Sequence, residues 1–287
     1  MQTDIKWKKE GLLEGELMQV REKGDVVYLT YPSLERLDMV RHGFSTRLGG
    51  VSQGIYASMN LSFSRGDERG AVLENYRRIA DAIGFDLECI VTSDQTHTAN
   101  VRVVTEADRG CGLTRARPYQ DVDGMITNVS GLMLATFYAD CVPLYLVDPV
   151  KKAVGLSHSG WKGTVGKIGL ATVQAMEREY GTDPKDLVAA VGPSICQECY
   201  EVSEDVIGEF ERAFSRDLWD KLFYRKPDGK YQLDLWEANR QVFIEAGVDA
   251  AQITLPGICT CCNPQFLFSH RASKGKRGNL GAFLGLV

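Results

Sequence analysis

Apolar positions along this chain change period several times, and each change marks an element. Val26-Val27-Tyr28-Leu29-Thr30-Tyr31-Pro32 is a β-rich run stopped by proline. Residues 40–46 predict another strand, leading into the glycine-rich loop Thr46-Arg47-Leu48-Gly49-Gly50-Val51-Ser52. Val72, Tyr76, Ile79 and Ile83 recur at helical spacing and predict a helix over 70–84 with Gly84 as its stop. The middle third is rich in strands, at 90–92, 101–104, 124–127, 132–138, 144–147 and 153–156. Several are apolar without alternation, which predicts burial on both faces. A long helix follows over 164–180, with Val165, Ile168, Thr172, Val173, Met176 and Tyr180 on one face. Leu187 to Val191 predicts a strand running into Gly192-Pro193. Helices are expected at 204–214 and 235–246, the second opening on Asp234-Leu235-Trp236-Glu237 with Asp234 as cap. The tail, 252–287, returns to strands.

Strands and helices do not alternate strictly, so the pattern predicts an α+β fold with mixed sheets rather than a doubly wound parallel sheet. No repeat, low-complexity stretch or Pro/Ser/Gly-rich linker divides the 287 residues. One domain over 1–287 is expected, with 1–35 as an N-terminal strand extension.

Composition narrows the function classes. Hydrophobic residues make up 44% and charged residues 25%, with a net charge of −5. That balance is ordinary for a globular protein and argues against nucleic acid as the main partner, because a phosphate polymer needs a basic face. No apolar run reaches the roughly 20 residues of a membrane span, and the start lacks a signal-peptide pattern. A cytosolic address is expected. In that compartment the eight cysteines read as metal ligands, buried thiols or redox groups rather than a disulfide frame.

Only four histidines are present, and two lie in polar contexts with a cysteine between them. The stretches are Gln95-Thr96-His97, Ala139-Asp140-Cys141-Val142-Pro143 and Ser157-His158-Ser159-Gly160-Trp161-Lys162-Gly163. Two imidazoles and a thiolate, from His97, Cys141 and His158, make a zinc set with a fourth position open. Taken singly, each has a plainer reading: a surface His97, a buried apolar Cys141, a structural His158 in a turn. Pro143 predicts a break in the strand beside Cys141.

Around this trio other residues are candidates. Lys162 adds a positive charge near a predicted helix start at Thr164, which suits an anion. Arg47 beside the Gly-Gly turn, with His42 nearby, is a candidate clamp for phosphate. Asp140 is a candidate proton shuttle or orienter of Cys141, and Trp161 or Phe44 a candidate platform for a base, with core packing the plainer reading of either aromatic. Cys196-Gln197-Glu198-Cys199 and Cys259-Thr260-Cys261-Cys262 form two C-x-x-C pairs. Four thiolates can hold structural zinc, but the long gap between the pairs favours a redox pair or plain thiols.

From about residue 40 onward the ordered motifs resemble the YfiH/YlmD family, also called laccase-domain or multicopper polyphenol oxidase-like proteins. The matching pieces are His42-Gly43-Phe44-Ser45-Thr46-Arg47 with Gly49-Gly50-Val51-Ser52, Asn60-Leu61, Gly66-Asp67, Asn75, Gln95-Thr96-His97 and Asp123. Ala139-Asp140-Cys141-Val142-Pro143, His158 to Gly163, Gly192-Pro193, Tyr200-Glu201-Val202, Cys259-Thr260 and Phe268-Ser269-His270-Arg271 complete the series. Tyr76 stands where the family often has a basic residue, and the Cys261-Cys262 doublet lies outside its pattern.

The resemblance implies a YfiH/CNF-like sandwich of central mixed sheets with flanking helices, and zinc on His97, Cys141 and His158. It also implies phosphorolysis of adenosine, inosine and methylthioadenosine, and adenosine deamination. Purine nucleosides and inorganic phosphate would then be the partners of a monomer or homodimer, without nucleic acid or membrane. In that reading Cys141, Asp140 and His158 are catalytic, while Arg47, Lys162 and His42 hold substrate or phosphate. Alternatives are a cysteine hydrolase acting on a peptidoglycan precursor, with Cys141 as nucleophile, a copper (Cu2+) site on the same trio, or a zinc-stabilised binding module.

Overall fold

The computed structural model describes residues 5–8 and 17–287. Its strands, in chain order, are Gln19–Lys23 (β1), Val26–Thr30 (β2), Val40–Ser45 (β3), Ile90–Thr92 (β4), Val101–Val103 (β5), Gly124–Thr127 (β6), Met133–Tyr138 (β7), Val142–Asp148 (β8), Ala153–Ser159 (β9), Val188–Val191 (β10), Glu201–Val202 (β11), Phe223–Arg225 (β12), Tyr231–Leu233 (β13), Ile253–Thr254 (β14) and Leu280–Leu286 (β15). The helices are Pro32–Glu35 (α1), Arg69–Ile83 (α2), Trp161–Val165 (α3), Ile168–Tyr180 (α4), Glu204–Ala213 (α5), Trp219–Leu222 (α6), Leu235–Glu245 (α7) and His270–Ser273 (α8).

Two six-stranded sheets, ordered β1-β2-β3-β15-β7-β4 and β14-β10-β8-β9-β6-β5, carry the architecture. Both are mixed: β4–β7, β5–β6 and β10–β14 pair parallel, the rest antiparallel. The sheets face each other across one core, where Phe44, Leu134 and Leu284 of the first meet Met125, Tyr145 and Leu156 of the second. The outer face of the first sheet is covered by Val72, Tyr76, Ile79 and Ile83 of α2. The outer face of the second is covered by Ile168, Val173 and Met176 of α4 with Val242 and Phe243 of α7. The fold is therefore a four-layered α+β sandwich, as expected.

Strand β8 shows why its sequence did not alternate. Val142, Leu144 and Leu146 point to the helix-covered core, whereas Tyr145 and Val147 point between the sheets. Both faces are dry, so both parities are apolar.

Helix α2 ends at Gly84, whose φ of +92° is the left-handed stop that glycine provides. Asp234 caps α7, its side chain accepting from the N–H groups of Trp236 and Glu237. The helix expected over 164–180 is broken in two. Gly166 and Lys167 (φ +58°) separate α3 from α4, and the Lys167 side chain is pulled toward α7 by Glu245, 2.8 Å away. Helix formation therefore starts at Trp161, and Thr164 is a buried interior residue rather than a helix start. Pro143 lies inside β8, opposite His158, and the chain breaks three residues earlier at Asp140. The tail is mostly loop, with strands only at β14 and β15. The segment taken as an N-terminal extension contributes β1 and β2 to the first sheet, within the described residues. Among the described residues no helix is long and apolar enough to cross a membrane.

His42 is corrected by its position. It lies on β3 but is buried between the rings of Tyr31 and Tyr145, and its Nε2 accepts a 2.7 Å hydrogen bond from the Tyr31 N–H. An imidazole that must accept a bond in the core is neutral and cannot grip phosphate. Burial lowers its pKa from 6.5 to about 4. The unfolded chain therefore binds an extra proton between those values, and folding loses stability as pH falls from 6.5 toward 4. We expect wild type to lose up to roughly 3 kcal/mol through this group over that window. A His42→Gln protein, which still accepts from Tyr31, should show a flatter profile; urea midpoints across pH measure the difference, and parallel profiles would refute it.

Candidate metal centre and cavity

Register brings the site together. In the β8–β9 pair Val142 faces Ser159 and Pro143 faces His158, so Cys141 sits just before β8 beside the end of β9. Next to β9 runs β6, with Gly124 opposite Ser157, which places Asp123 beside His158. His97 comes from the loop after β4, in the other sheet. The ligand atoms of His97, Cys141 and His158 lie within 4.8 Å of one another. The three expected ligands thus converge from three segments.

Two of the segments carry non-glycine residues in the left-handed region, His97 at φ +67° and Asp140 at φ +86°. Such conformations persist where surroundings over-determine them. Gln95 does this on one side of His97: its Nε2 donates to the Phe137 carbonyl and its Oε1 accepts from the Phe137 N–H, each at 2.7 Å. Asp123 does it on the other, where Oδ2 accepts from the N–H groups of Thr96 (3.0 Å) and Thr98 (2.9 Å). Its Oδ1 lies 2.7 Å from His158 Nδ1, and the His158 N–H donates to the Asp123 carbonyl at 2.8 Å. A carboxylate only accepts, so Nδ1 carries a proton toward Asp123, and Nε2 is the nitrogen left for Cys141 and the cavity. Burial pushes the Asp123 pKa up, but the His158 and Thr98 bonds overcome it and hold the carboxyl near 2.

The sulfur is prepared in the same way. Burial alone would raise the Cys141 pKa, yet the charge of His158 and hydrogen bonds from His158 and His97 pull it down to about 6. Burial alone would lower His158, but Cys141 and Asp123 raise it. Thiolate and imidazolium stabilise each other, and a cation between them would replace the proton. The donor set of two imidazoles and one thiolate fits zinc, and equally copper, by ligand chemistry. Gly160 supplies the room: a Cβ there would stand 3.0 Å from His97 Cδ2 and 3.2 Å from Cys141 Sγ.

Asp140 is held, not free. Its Oδ1 accepts from Thr260 Oγ1 (2.6 Å), its Oδ2 from the Arg271 N–H (2.7 Å), and its carbonyl from the Ile195 N–H (3.1 Å). With both oxygens taken it positions the Cys141 turn, which corrects its reading as a proton shuttle.

His97 and Cys141 stand between two cavities. The larger, about 470 Å³, also reaches His158 and is lined by Arg65, Arg69, Arg117 and Arg277 with Phe63, Phe137 and Tyr76. The smaller, about 260 Å³, is lined by Trp161, Lys162, Asp140, Tyr200 and Leu235. Lys162 and Trp161 are therefore at the site, on its smaller side. Arg47 is at neither: its Nε and Nη2 donate to the Ala57 carbonyl at 2.9 and 2.7 Å, and Nη1 to Pro264 at 2.7 Å. It ties the Gly-Gly turn together, which corrects its reading as a phosphate clamp. Phe44 takes the plainer of its two readings, core, being fully buried against Tyr138 between the sheets.

Sequence reasoning assigned no role to Asp123 and overlooked the arginines of the larger cavity. The only local sign of Asp123 is an acid at the mouth of an apolar strand. Arg277 lies in a polar tail loop with no local sign at all. Its Nε and that of Arg117 are buried without a partner among the described residues, although both arginines use their other nitrogens. Burial first, then the charge of Arg65, depresses the Arg277 pKa to about 10. An anion in the cavity would be attracted by the charge that these arginines place around it.

The profile of the family described as "Multi-copper polyphenol oxidoreductase laccase" matches residues 41–287. "Purine nucleoside phosphorylase YlmD" of Bacillus subtilis (strain 168) is 40% identical over 248 residues, covering 85% of this chain and 87% of the relative. "Adenosine deaminase RL5" of an unknown prokaryotic organism is 37% identical over 245 residues, covering 83% and 93%. The crystal structure of YlmD from Geobacillus stearothermophilus superposes with a TM-score of 0.88 at 35% identity, covering 94% and 99%.

An Asp123→Asn substitution keeps the size of the side chain but turns an N–H₂ group or a weaker acceptor toward His158. The ring tautomer loses its anchor, and metal affinity should fall by about 10–100-fold. Competition of the purified variant against a chromophoric chelator measures this; unchanged affinity would refute the role of Asp123.

Proposed function

The chain belongs to the YfiH/YlmD family, the laccase-domain proteins, and we propose that it is a zinc-dependent purine nucleoside enzyme. It splits adenosine, inosine and methylthioadenosine with inorganic phosphate, releasing the free base and the sugar 1-phosphate, and it deaminates adenosine. One observation carries the reading: a three-ligand centre opens onto a cavity lined by four arginines. A cavity of about 470 Å³ suits a nucleoside with an anion beside it. The printed names of the relatives supply the substrate class.

His97, Cys141 and His158 would hold the zinc, which supplies a Lewis acid and a water acidic enough to act near neutral pH. The chain's own residues do the rest. Asp123 keeps the proton on His158 Nδ1, and Gln95 and Asp123 hold the His97 loop. Arg277 and Arg65 hold phosphate in place of the anion-binding residues first expected, and Phe137 and Phe63 offer apolar faces to the base or sugar. Lys162 and Trp161 border the smaller cavity, where the part of the substrate beyond the metal would extend.

The family's oxidase description does not fit the histidine count. A blue-copper site with a three-copper cluster needs roughly ten histidines. This chain has four, and His42 is committed to the core.

A second reading has a specific observation behind it. Cys141, His158 and Asp123 stand in the order nucleophile, base and orienter, with the base–orienter bond at 2.7 Å. A cysteine hydrolase would use the same row, and its Cys141 would be labelled covalently by substrate analogues in metal-free protein.

Chromatography of an adenosine incubation separates these readings. Inosine should form without phosphate, and adenine with ribose 1-phosphate when phosphate is added. Chelation and Cys141→Ala should abolish both; full rates in Cys141→Ala would end the proposal, and activity surviving chelation would favour the hydrolase.

Arg277→Ala gives a separate test of the anion site. The KM for phosphate should rise about tenfold or more, corresponding to a lost charge-assisted contact of about 1.4 kcal/mol. Phosphate-independent deamination should change far less. An unchanged phosphate KM would move the anion elsewhere in the cavity.

A further inference from the structure

We infer that Cys196, Cys199, Cys259 and Cys262 form a second metal site, a four-thiolate structural zinc clasp separate from the His97, Cys141 and His158 centre. The four sulfurs come from the two C-x-x-C pairs, far apart in sequence, and all lie within 4.8 Å of one another. Cys262 Sγ is 3.4 Å from Cys199 Sγ and 3.9 Å from Cys196 Sγ. A disulfide would need about 2.05 Å. Four sulfurs at about 2.3 Å from one tetrahedral zinc stand about 3.8 Å apart. The observed spacing is that of ligands around a shared ion.

The backbone is arranged for thiolates. The N–H groups of Cys196 (3.2 Å) and Cys262 (3.4 Å) both donate to Cys259 Sγ. Donation of this kind favours the charged sulfur, and two-residue spacing lets one loop offer two sulfurs to one ion. Cys196 and Cys259 are buried and the other two half-buried, which suits a closed structural site without a position for substrate.

The clasp has a structural consequence. It joins the 194–199 segment to the 259–262 segment, which touch otherwise through the Ser194–Cys259 bridge and the Thr260 N–H bond to the Ser194 carbonyl. Those same segments supply Ile195 and Thr260, two of the three residues that hold Asp140 and hence the Cys141 turn. Zinc in the clasp would set the floor on which the other centre stands.

Metal analysis of the purified protein tests this independently of any catalytic reading, because the Cys141→Ala protein lacks the other ligand set. That variant should retain one zinc equivalent per chain. Reloaded with cobalt(II), it should show tetrahedral d–d bands and an intense thiolate-to-cobalt charge-transfer band. Adding Cys199→Ser and Cys262→Ser should remove the metal and the band. A Cys141→Ala protein without zinc and without that band would overturn the inference even if the multiple variant fails to fold. So would an intact mass lacking two hydrogens after non-reducing purification, with peptide mapping that joins two of these four cysteines in a disulfide.

Discussion

One carboxylate organises the centre. Asp123 touches both histidine-bearing segments, through Oδ1 to the His158 ring and through Oδ2 to the amides on either side of His97. Its own carbonyl takes the His158 N–H, so the strand pairing and the ring orientation are set by the same residue. Full burial makes these bonds strong and their loss costly, because an unpaired carboxylate away from water must either find partners or take up a proton. A depressed pKa is the thermodynamic record of that satisfaction.

The sandwich explains why one group can reach so far. His158 ends a central strand of the second sheet, while His97 leaves the edge strand of the first, and Tyr138 of the first sheet lies 5.4 Å from the His158 ring. The centre therefore sits where the two sheets meet. Each ligand is held by a rigid neighbour: His158 by β6, His97 by the Gln95 bonds to β7, and Cys141 by the Asp140 turn. Three segments, each pinned by backbone hydrogen bonds, can keep two imidazoles and a sulfur within bonding reach of one ion before it arrives. Preorganisation of this kind separates a metal centre from an accidental cluster of donors.

Local pattern carried the sequence reading well where the physics is local. Helix α2, with its Gly84 stop, and α7, with its Asp234 cap, follow from periodicity and terminal chemistry, and the doubly buried strands follow from their lack of alternation. The ligand trio was legible because soft ligands beside turns are rare in a chain with four histidines. What escaped depends on distant partners. His42 looked like a companion of the Arg47 clamp, yet its role comes from Tyr31 across a strand pairing. Arg47 looked like a clamp, yet carbonyls from Ala57 and Pro264 consume it. The break between α3 and α4 arises where Lys167 leaves helical geometry and reaches Glu245 on another helix. The long gap between the C-x-x-C pairs argued against their meeting, but β10 and β14 pair in parallel just before them and carry both loops to one end of the sheet.

Charge balance links the two halves of the site. A zinc ion held by one thiolate and two neutral imidazoles, as proposed, would keep a net positive charge, and four arginines line the cavity beside that site. Like charges so close raise the electrostatic potential of the cavity, and burial, with the charge of Arg65 added, lowers the proton affinity of Arg277. Such a cavity has little use for a neutral apolar ligand and strongly favours an anion. A nucleoside alone is neutral, so it would not discharge the field. A nucleoside together with phosphate would, and on the proposed reading the two reactants satisfy the cavity jointly. On that reading deamination would need only the metal end and phosphorolysis the arginines as well, so that one cleft could serve both reactions while only one of them depends on phosphate.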